Sequence, residues 1–221
     1  INNSNNLFNR NLGLEYNYFS KDNLWNGKVL FLKSLSPTKE EQGNVYASHI
    51  GYQSTRWNWR IQQEYISDNY TAEVGYIPRK NYLKLQVKGG YLNYTKKETI
   101  LLSHGPSVSQ TYFFDSKLDN KDQLISLKYL FNFKNRSQLS IGFQNQFIQL
   151  LSNFDPLRTG IAFLDEGTSH KWNNFTISYN SKPQNRFTYS FETITGGYYS
   201  EGKRSAFMGE FGYRFQPFLE L

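Results

Sequence analysis

The stretch Trp57-Asn58-Trp59-Arg60-Ile61-Gln62-Gln63-Glu64-Tyr65 sorts its side chains onto two sides of an extended chain. Trp57, Trp59, Ile61 and Tyr65 take one side, while Asn58, Arg60, Gln62 and Glu64 take the other, because successive Cβ atoms of a strand point to opposite faces. The same period runs outward in both directions. Upstream, Leu12, Leu14, Tyr16 and Tyr18 oppose Asn11, Gly13, Glu15 and Asn17 in a strand expected over about 7–20, closed by a tight Asp22-Asn23 turn. A second strand is expected over about 25–35, where Val29-Leu30-Phe31-Leu32 is apolar on both parities and leaves its facing ambiguous. The polar segment 36–43 contains Pro37, which does not suit a paired strand, and reads as a loop. A third strand then reaches Gln53 and a short Ser54-Thr55 turn.

Downstream, a longer excursion over 67–81 precedes Leu83, Leu85 and Val87 alternating with Lys84, Gln86 and Lys88, and Gly89-Gly90 reads as a bulge or bend. After a turn at Thr95-Lys96-Lys97, a long irregular strand reaches Phe114, and 115–122 reads as a polar loop. Ile125, Leu127, Tyr129, Phe131 and Phe133 oppose Ser126, Lys128 and Asn132; after the turn at 134–137, Leu139, Ile141, Phe143 and Phe147 oppose Ser140, Gly142, Gln144 and Gln146. A long loop follows, then two more strands around the 182–185 turn, a Tyr-rich loop after Gly196-Gly197, and a final strand with Phe207, Phe211, Tyr213 and Phe215. Connections that alternate short and long, joining strands that alternate apolar and polar, are the signature of a transmembrane β-barrel. The expected fold is therefore all-β: an antiparallel up-and-down barrel with tight turns on the periplasmic side.

Composition agrees. Mean hydropathy is −0.66, and no apolar run approaches the ~18 residues of a membrane helix, so any span must be made of strands. With 17 tyrosines, 18 phenylalanines and 4 tryptophans, aromatics make up 18% of the chain, as expected for girdles at two membrane interfaces. Cysteine is absent, which excludes disulfides and thiolate metal sites. The formal charge of +7 is spread along the sequence and supports contact with anionic headgroups or solutes rather than nucleic acid. A soluble sandwich also alternates apolar and polar residues; the long strands, the alternating turn lengths and the Tyr/Trp-rich apolar side argue against it.

About eleven strands are read in this way, whereas single-chain bacterial barrels close with even numbers. An open edge in hydrocarbon leaves unsatisfied N–H and C=O groups at several kcal/mol each. The closing strands are thus expected outside residues 1–221, which would form part of one barrel domain. The chain opens Ile1-Asn2-Asn3-Ser4 without a basic and apolar leader, so an internal piece of a longer exported precursor is expected.

The run Thr71-Ala72-Glu73-Val74-Gly75-Tyr76-Ile77-Pro78-Arg79-Lys80-Asn81-Tyr82 resembles the Glu-x-Gly-Phe-x-x-Arg signature, with Tyr76 for Phe, of a Bacteroidota family of large exported proteins. The segments 23–28 and 210–218 resemble landmarks of the same family. The resemblance implies an upstream domain similar to family 9 carbohydrate-binding modules and a barrel region of unknown function, with further strands downstream. Both the upstream domain and those strands would lie outside this chain, and glycan handling is implied by kinship alone. Read from the residues, Glu73, Gly75, Tyr76 and Arg79 form a rim motif in which Glu and Arg are expected to pair.

Chemistry is sparse. His49, His104 and His170 lack metal-ligand spacing, the acidic residues Asp115, Asp119 and Asp122 lack the Gly and Glu of a calcium loop, and His104-Gly105-Pro106-Ser107 reads as a kink rather than a hydrolase pair. No catalytic, cofactor or metal residue is expected, and no enzyme activity. The informative residues are Glu15, Arg60, Glu64, Lys84, Lys88, Lys128, Glu192, Glu210 and Arg214, expected to line the lumen because ionisable groups in a membrane wall face water or a partner. Two functions stay open: an outer-membrane channel or uptake component linked to glycans, or a non-conducting anchor or scaffold in an envelope complex. The expected partners are outer-membrane lipid, glycans through the absent domain, and other envelope proteins.

Overall fold

Alternation of β-branched or aromatic residues with polar ones is what a pleated, one-face-apolar surface requires, and the computed structural model contains strands throughout with no helix among the described residues. It describes residues 8–37, 42–72, 77, 79–96, 99–161, 163–215 and 219–220. The strands are β1 (Arg10–Phe19), β2 (Trp25–Leu35), β3 (Asn44–Gln53), β4 (Trp57–Ile66), β5 (Tyr82–Tyr91), β6 (Asn93–Tyr94), β7 (Leu101–Phe114), β8 (Asn120–Phe133), β9 (Gln138–Gln149), β10 (Ser169–Asn180), β11 (Phe187–Tyr198), β12 (Gly202–Phe215) and β13 (Leu219–Glu220). They join in one up-and-down sheet in the order β1-β2-β3-β4-β5-β7-β8-β9-β10-β11-β12-β13, with β6 paired to β7. Among the described residues the path has two ends, β1 and β13, and holds twelve strands rather than the expected eleven, because Leu219–Glu220 begins a further pairing on β12.

The chain divides into two compact units, one of residues 1–54, 59–87 and 111–121, the other of 55–58, 88–110 and 122–221. In the first, register resolves the facing of β2. Leu14 lies opposite Phe31, which lies opposite Tyr46, while Glu15 lies opposite Leu30 and Leu30 opposite Ala47. Directly opposed residues share a face, so Val29 and Phe31 join the apolar side, and Leu30 and Leu32 the polar one. In the second unit the rows Leu127–Phe143–Phe175 and Tyr129–Ile141–Ile177 form the apolar face, and Ser126–Gln144–Asn174 and Lys128–Gly142–Thr176 the polar face.

Burial is inverted relative to a water-soluble fold. Leu14 is 77% exposed, Phe207 74% and Phe211 73%, while Ser34, Ser126, Asn174 and Thr176 are buried. Among the described residues only Val45, Tyr70, Tyr82 and Leu150 are buried hydrophobics. Tyr189 on the apolar face is exposed, and Trp59, Leu85 and Phe131 on that face are half-buried.

Three expected irregularities move. Gly89 and Gly90 continue β5, and the break falls at Leu92, opposite Gly105. Gly105 and Pro106 sit inside β7; a Cβ at Gly105 would lie 1.8 Å from the Tyr91 carbonyl oxygen, so only glycine lets the strands approach there. Pro106 brings no N–H for pairing, and at the break the Leu92 N–H donates to the Arg56 carbonyl at 2.8 Å. The polar loop at 115–122 and the Tyr-rich loop after Gly196-Gly197 are tight hairpins, because β8 starts at Asn120, β11 runs to Tyr198 and β12 starts at Gly202. Strict short-long alternation fails at both. At the first, Leu118 adopts φ 64° and Asp115 Oδ1 accepts the N–H groups of Lys117 (2.9 Å) and Asp119 (3.0 Å). Backbone-directed carboxylates of this kind stabilise a turn that charge pattern alone reads as open loop.

Candidate functional site

The polar face of the sheet is the candidate site, and in the first unit its charges are tied across strands. Register carries Glu15, Lys28, Asn26 and His49 onto one side of β1, β2 and β3. Lys28 Nζ pairs with Glu15 Oε2 at 2.6 Å, and Asn17 Nδ2 donates to Glu15 Oε1 at 2.8 Å. Arg60 Nη2 donates to Asn26 Oδ1 at 3.3 Å, and the Tyr82 hydroxyl donates to the Glu64 carboxylate. Lys84 Nζ lies 5.6 Å from the Phe113 ring centroid, and Arg79 stacks on the same ring at 5.0 Å, within the ordinary range of cation–π contacts. Gln86 Nε2 donates to Thr111 Oγ1 at 2.7 Å. Lys28, Asn26 and Tyr82 are partners that the alternation did not single out. Lys28 was hidden by the ambiguous facing of β2, and its signal was its parity with Leu30 once the pairing of β2 with β1 is known.

In the second unit the face is mostly uncharged. Lys88 shares parity with Gly90, where a Cβ would lie 3.2 Å from the Asn58 amide. Lys128 lies along Gly142; a Cβ there would come within 2.9 Å of Lys128 Cγ and 2.7 Å of Thr176 Oγ1, so the glycine leaves the lane that the lysine stem occupies. Glu192 is opposite Ser178 and Met208, Glu210 is opposite Ser190, and Arg214 is opposite Glu220. Around them Ser140, Gln144, Asn174, Thr176 and Asn180 supply hydroxyls and amides that charge counting passed over. Trp172 Nε1 donates to the Asn174 amide oxygen at 3.2 Å when that amide is turned to give its nitrogen to the Gly197 carbonyl.

Of the rim motif, Glu73, Gly75 and Tyr76 lie outside the described residues; Arg79 is described and meets Tyr82 and Phe113. The histidines do not gather. His49 lies opposite Lys28, His104 Nδ1 is 2.6 Å from the Tyr129 hydroxyl on the apolar face, and His170 Nε2 is 2.9 Å from Thr168 Oγ1. His104 and Ser107 differ in parity along β7 and point to opposite faces. Among the described residues no three His, Cys, Asp or Glu side chains group in a way that would hold a metal ion. Asp115 instead braces its turn, with Lys121 Nζ 3.2 Å from Oδ2. The Asp119 backbone N–H, aided by Lys117 and Lys121, holds the Asp115 carboxyl below the usual aspartate range.

The opposite face carries two aromatic rows in the first unit. Trp25, Tyr52 and Trp59 meet with ring centroids 5.2 to 6.4 Å apart, and Phe31, Tyr46 and Tyr65 with centroids 5.1 and 6.1 Å apart. Each pair of positions on one strand is six residues apart, so the rows are separated by about 20 Å along the strands at ~3.3 Å per residue. Tyr16, Val29, Ile50 and Ile61 occupy the band between them, and Leu14 continues the second row opposite Phe31. In the second unit the apolar face gives way to an amide ladder, Gln123 to Asn145 at 3.3 Å and Asn145 to Asn173 at 2.7 Å, immediately beyond Phe143 and Phe175.

A family model described as "Domain of unknown function (DUF5916)" matches residues 2–221. No curated protein and no solved structure matches the chain.

Proposed function

Given that the chain belongs to the DUF5916 family, whose description assigns no activity, we propose that it forms part of the wall of a bacterial outer-membrane β-barrel that admits solutes along its polar face. The observation that carries this reading is the inverted burial: phenylalanine, leucine and isoleucine side chains are exposed while serine, threonine and asparagine are buried. Water penalises such a surface by roughly 25 cal/mol per Å² of exposed apolar area, whereas hydrocarbon does not. The two aromatic rows supply the Trp and Tyr side chains that such barrels use near the membrane interfaces. In this reading the nine charged positions line the lumen, the closing strands come from outside residues 1–221, and β1 is one edge awaiting them. The resemblance of the 71–82 run to a signature of Bacteroidota proteins with an upstream carbohydrate-binding-like domain is what suggests glycans as the solute class of the proposal.

The full-length protein in planar lipid bilayers is expected to give stepwise conductance whose cation-to-anion preference shifts in a Lys128→Gln variant. A sealed bilayer after verified insertion refutes conduction. It leaves the second reading, a non-conducting anchor or scaffold for other envelope proteins, which the cross-strand ties Glu15–Lys28 and Glu64–Tyr82 favour as bracing of a closed wall.

A further inference from the structure

The charge that looks evenly spread along the sequence is sorted by the fold. We propose that the short-turn end of the second unit seats on the phosphate headgroups of an anionic phospholipid leaflet, through Arg56, Lys96, Lys134, Arg136, Lys182 and Arg186. The proposal rests on the reading of the sheet as a bilayer wall and names the lipid chemistry at one of its two ends.

These six residues lie on four connections that hydrogen bonds hold side by side. The Leu92 N–H donates to the Arg56 carbonyl at 2.8 Å, and the Tyr94 hydroxyl to the Thr55 carbonyl at 3.0 Å, which joins the 54–56 turn to the end of the β5–β6 strand. The Lys134 N–H donates to the Ile100 carbonyl at 3.0 Å, joining 95–100 to 134–137. Gln184, with its amide oxygen turned to the guanidinium, accepts from Arg136 Nη1 at 2.7 Å and Nε at 3.2 Å, joining 134–137 to 181–186. Five of the six side chains are exposed and Lys182 is half-buried. Among the described residues of these connections there is no Asp or Glu; Glu98 and Lys97 lie outside the described residues. At the other end of the same unit, the connections carry Asp155, Asp165, Glu166 and Glu201 against Arg158.

Rings sit directly inside the cations. Trp57 packs on Tyr91 at 4.6 Å, Tyr179 on Tyr189 at 5.9 Å and Tyr213 on Phe215 at 4.7 Å, all within a few residues of the short turns. Guanidinium and ammonium groups recognise phosphate, and Trp and Tyr favour the headgroup level of a bilayer. An acidic protein would meet the cations but make no use of the rings behind them. A charged leaflet uses both.

The test is lipid selectivity of the full-length protein in vesicles, read by quenching of tryptophan fluorescence with brominated phosphatidylglycerol against brominated phosphatidylcholine. Phosphatidylglycerol is expected to be favoured about fivefold or more at low salt, since a basic residue near an anionic surface contributes about that factor, and the preference should fade as salt is raised. The triple variant Arg56→Gln, Lys96→Gln, Lys182→Gln should insert normally and lose most of the preference. Equal quenching by both lipids, or an unchanged preference in the inserted triple variant, overturns the headgroup assignment while leaving the wall reading intact. Binding of polyaspartate without any lipid preference overturns it in favour of an acidic protein. A protein that enters no bilayer overturns the wall reading and this proposal together.

Discussion

Replacing Ile141 by arginine separates a membrane-facing sheet from a water-facing one by the size of a single free-energy change. Ile141 sits on β9 between Tyr129 and Ile177 in the apolar row, two residues from Leu139, which opposes Tyr179, and four from Asn145 of the amide ladder, so it is central in the apolar band. It is 47% exposed. If that exposed half faced water, Ile141→Arg would cost only the burial lost from the other half, about 1 kcal/mol of the ~1.5–3 kcal/mol available to a fully buried side chain. Facing hydrocarbon, the arginine adds ~2–4 kcal/mol at the bilayer midplane of a β-barrel, which is a roughly 30- to 900-fold change in the folding equilibrium at ~1.36 kcal/mol per decade. The matched control is Phe163→Arg in the 150–168 connection, 55% exposed and outside every strand. Equilibrium unfolding in guanidinium, followed by tryptophan fluorescence in lipid vesicles, measures both. The wall reading requires Ile141→Arg to exceed Phe163→Arg by at least ~2 kcal/mol. A difference within ~0.5 kcal/mol, the range of ordinary surface substitutions, would refute it.

Two further outcomes are expected. Gly196→Ala should destabilise the β10–β11 hairpin, because Gly196 holds φ 152° and a Cβ would fall 2.3 Å from the Asn173 carbonyl oxygen; a loss of ~1–3 kcal/mol is expected from such overpacking, and an unfolding midpoint equal to the parent's would contradict the close approach. Asp155 accepts the N–H groups of Gly160 at 2.6 Å and Leu157 at 3.0 Å, and the Gly160 bond above all holds its carboxyl below the ordinary aspartate range. Because the folded value is the lower one, the ordering of this connection is complete above the unfolded aspartate value of ~3.9 and is lost as pH falls through the folded value. Faster amide exchange at Gly160 should appear only below that point, and exchange already fast at neutral pH would show that the carboxylate cap does not form.

Alternation at Trp57–Tyr65, Leu83–Lys88 and Ile125–Phe133 was enough to establish strands with one apolar and one polar side, because a strand's side-chain period is two whatever its neighbours are. The tight turns at 22–23 and 134–137 were equally legible, since Asn and Asp carry their own turn chemistry. Facing in β2 was not: Val29-Leu30-Phe31-Leu32 is apolar on both parities, and only pairing with Glu15 on β1 and Ala47 on β3 assigns Leu30 to the polar side. The break at Leu92 likewise belongs to a contact with Gly105, thirteen residues further on, and not to Gly89-Gly90 beside it. The hairpin at Asp115–Asp119 depends on backbone N–H groups that composition does not register. The partners of the charged face, Lys28 for Glu15 and Tyr82 for Glu64, and the gathering of cations at one end of the second unit, came only with tertiary structure. Local pattern acts through the chain's own backbone geometry, whereas register, cross-strand partners and the placement of turns side by side are properties of residues that meet across the sheet.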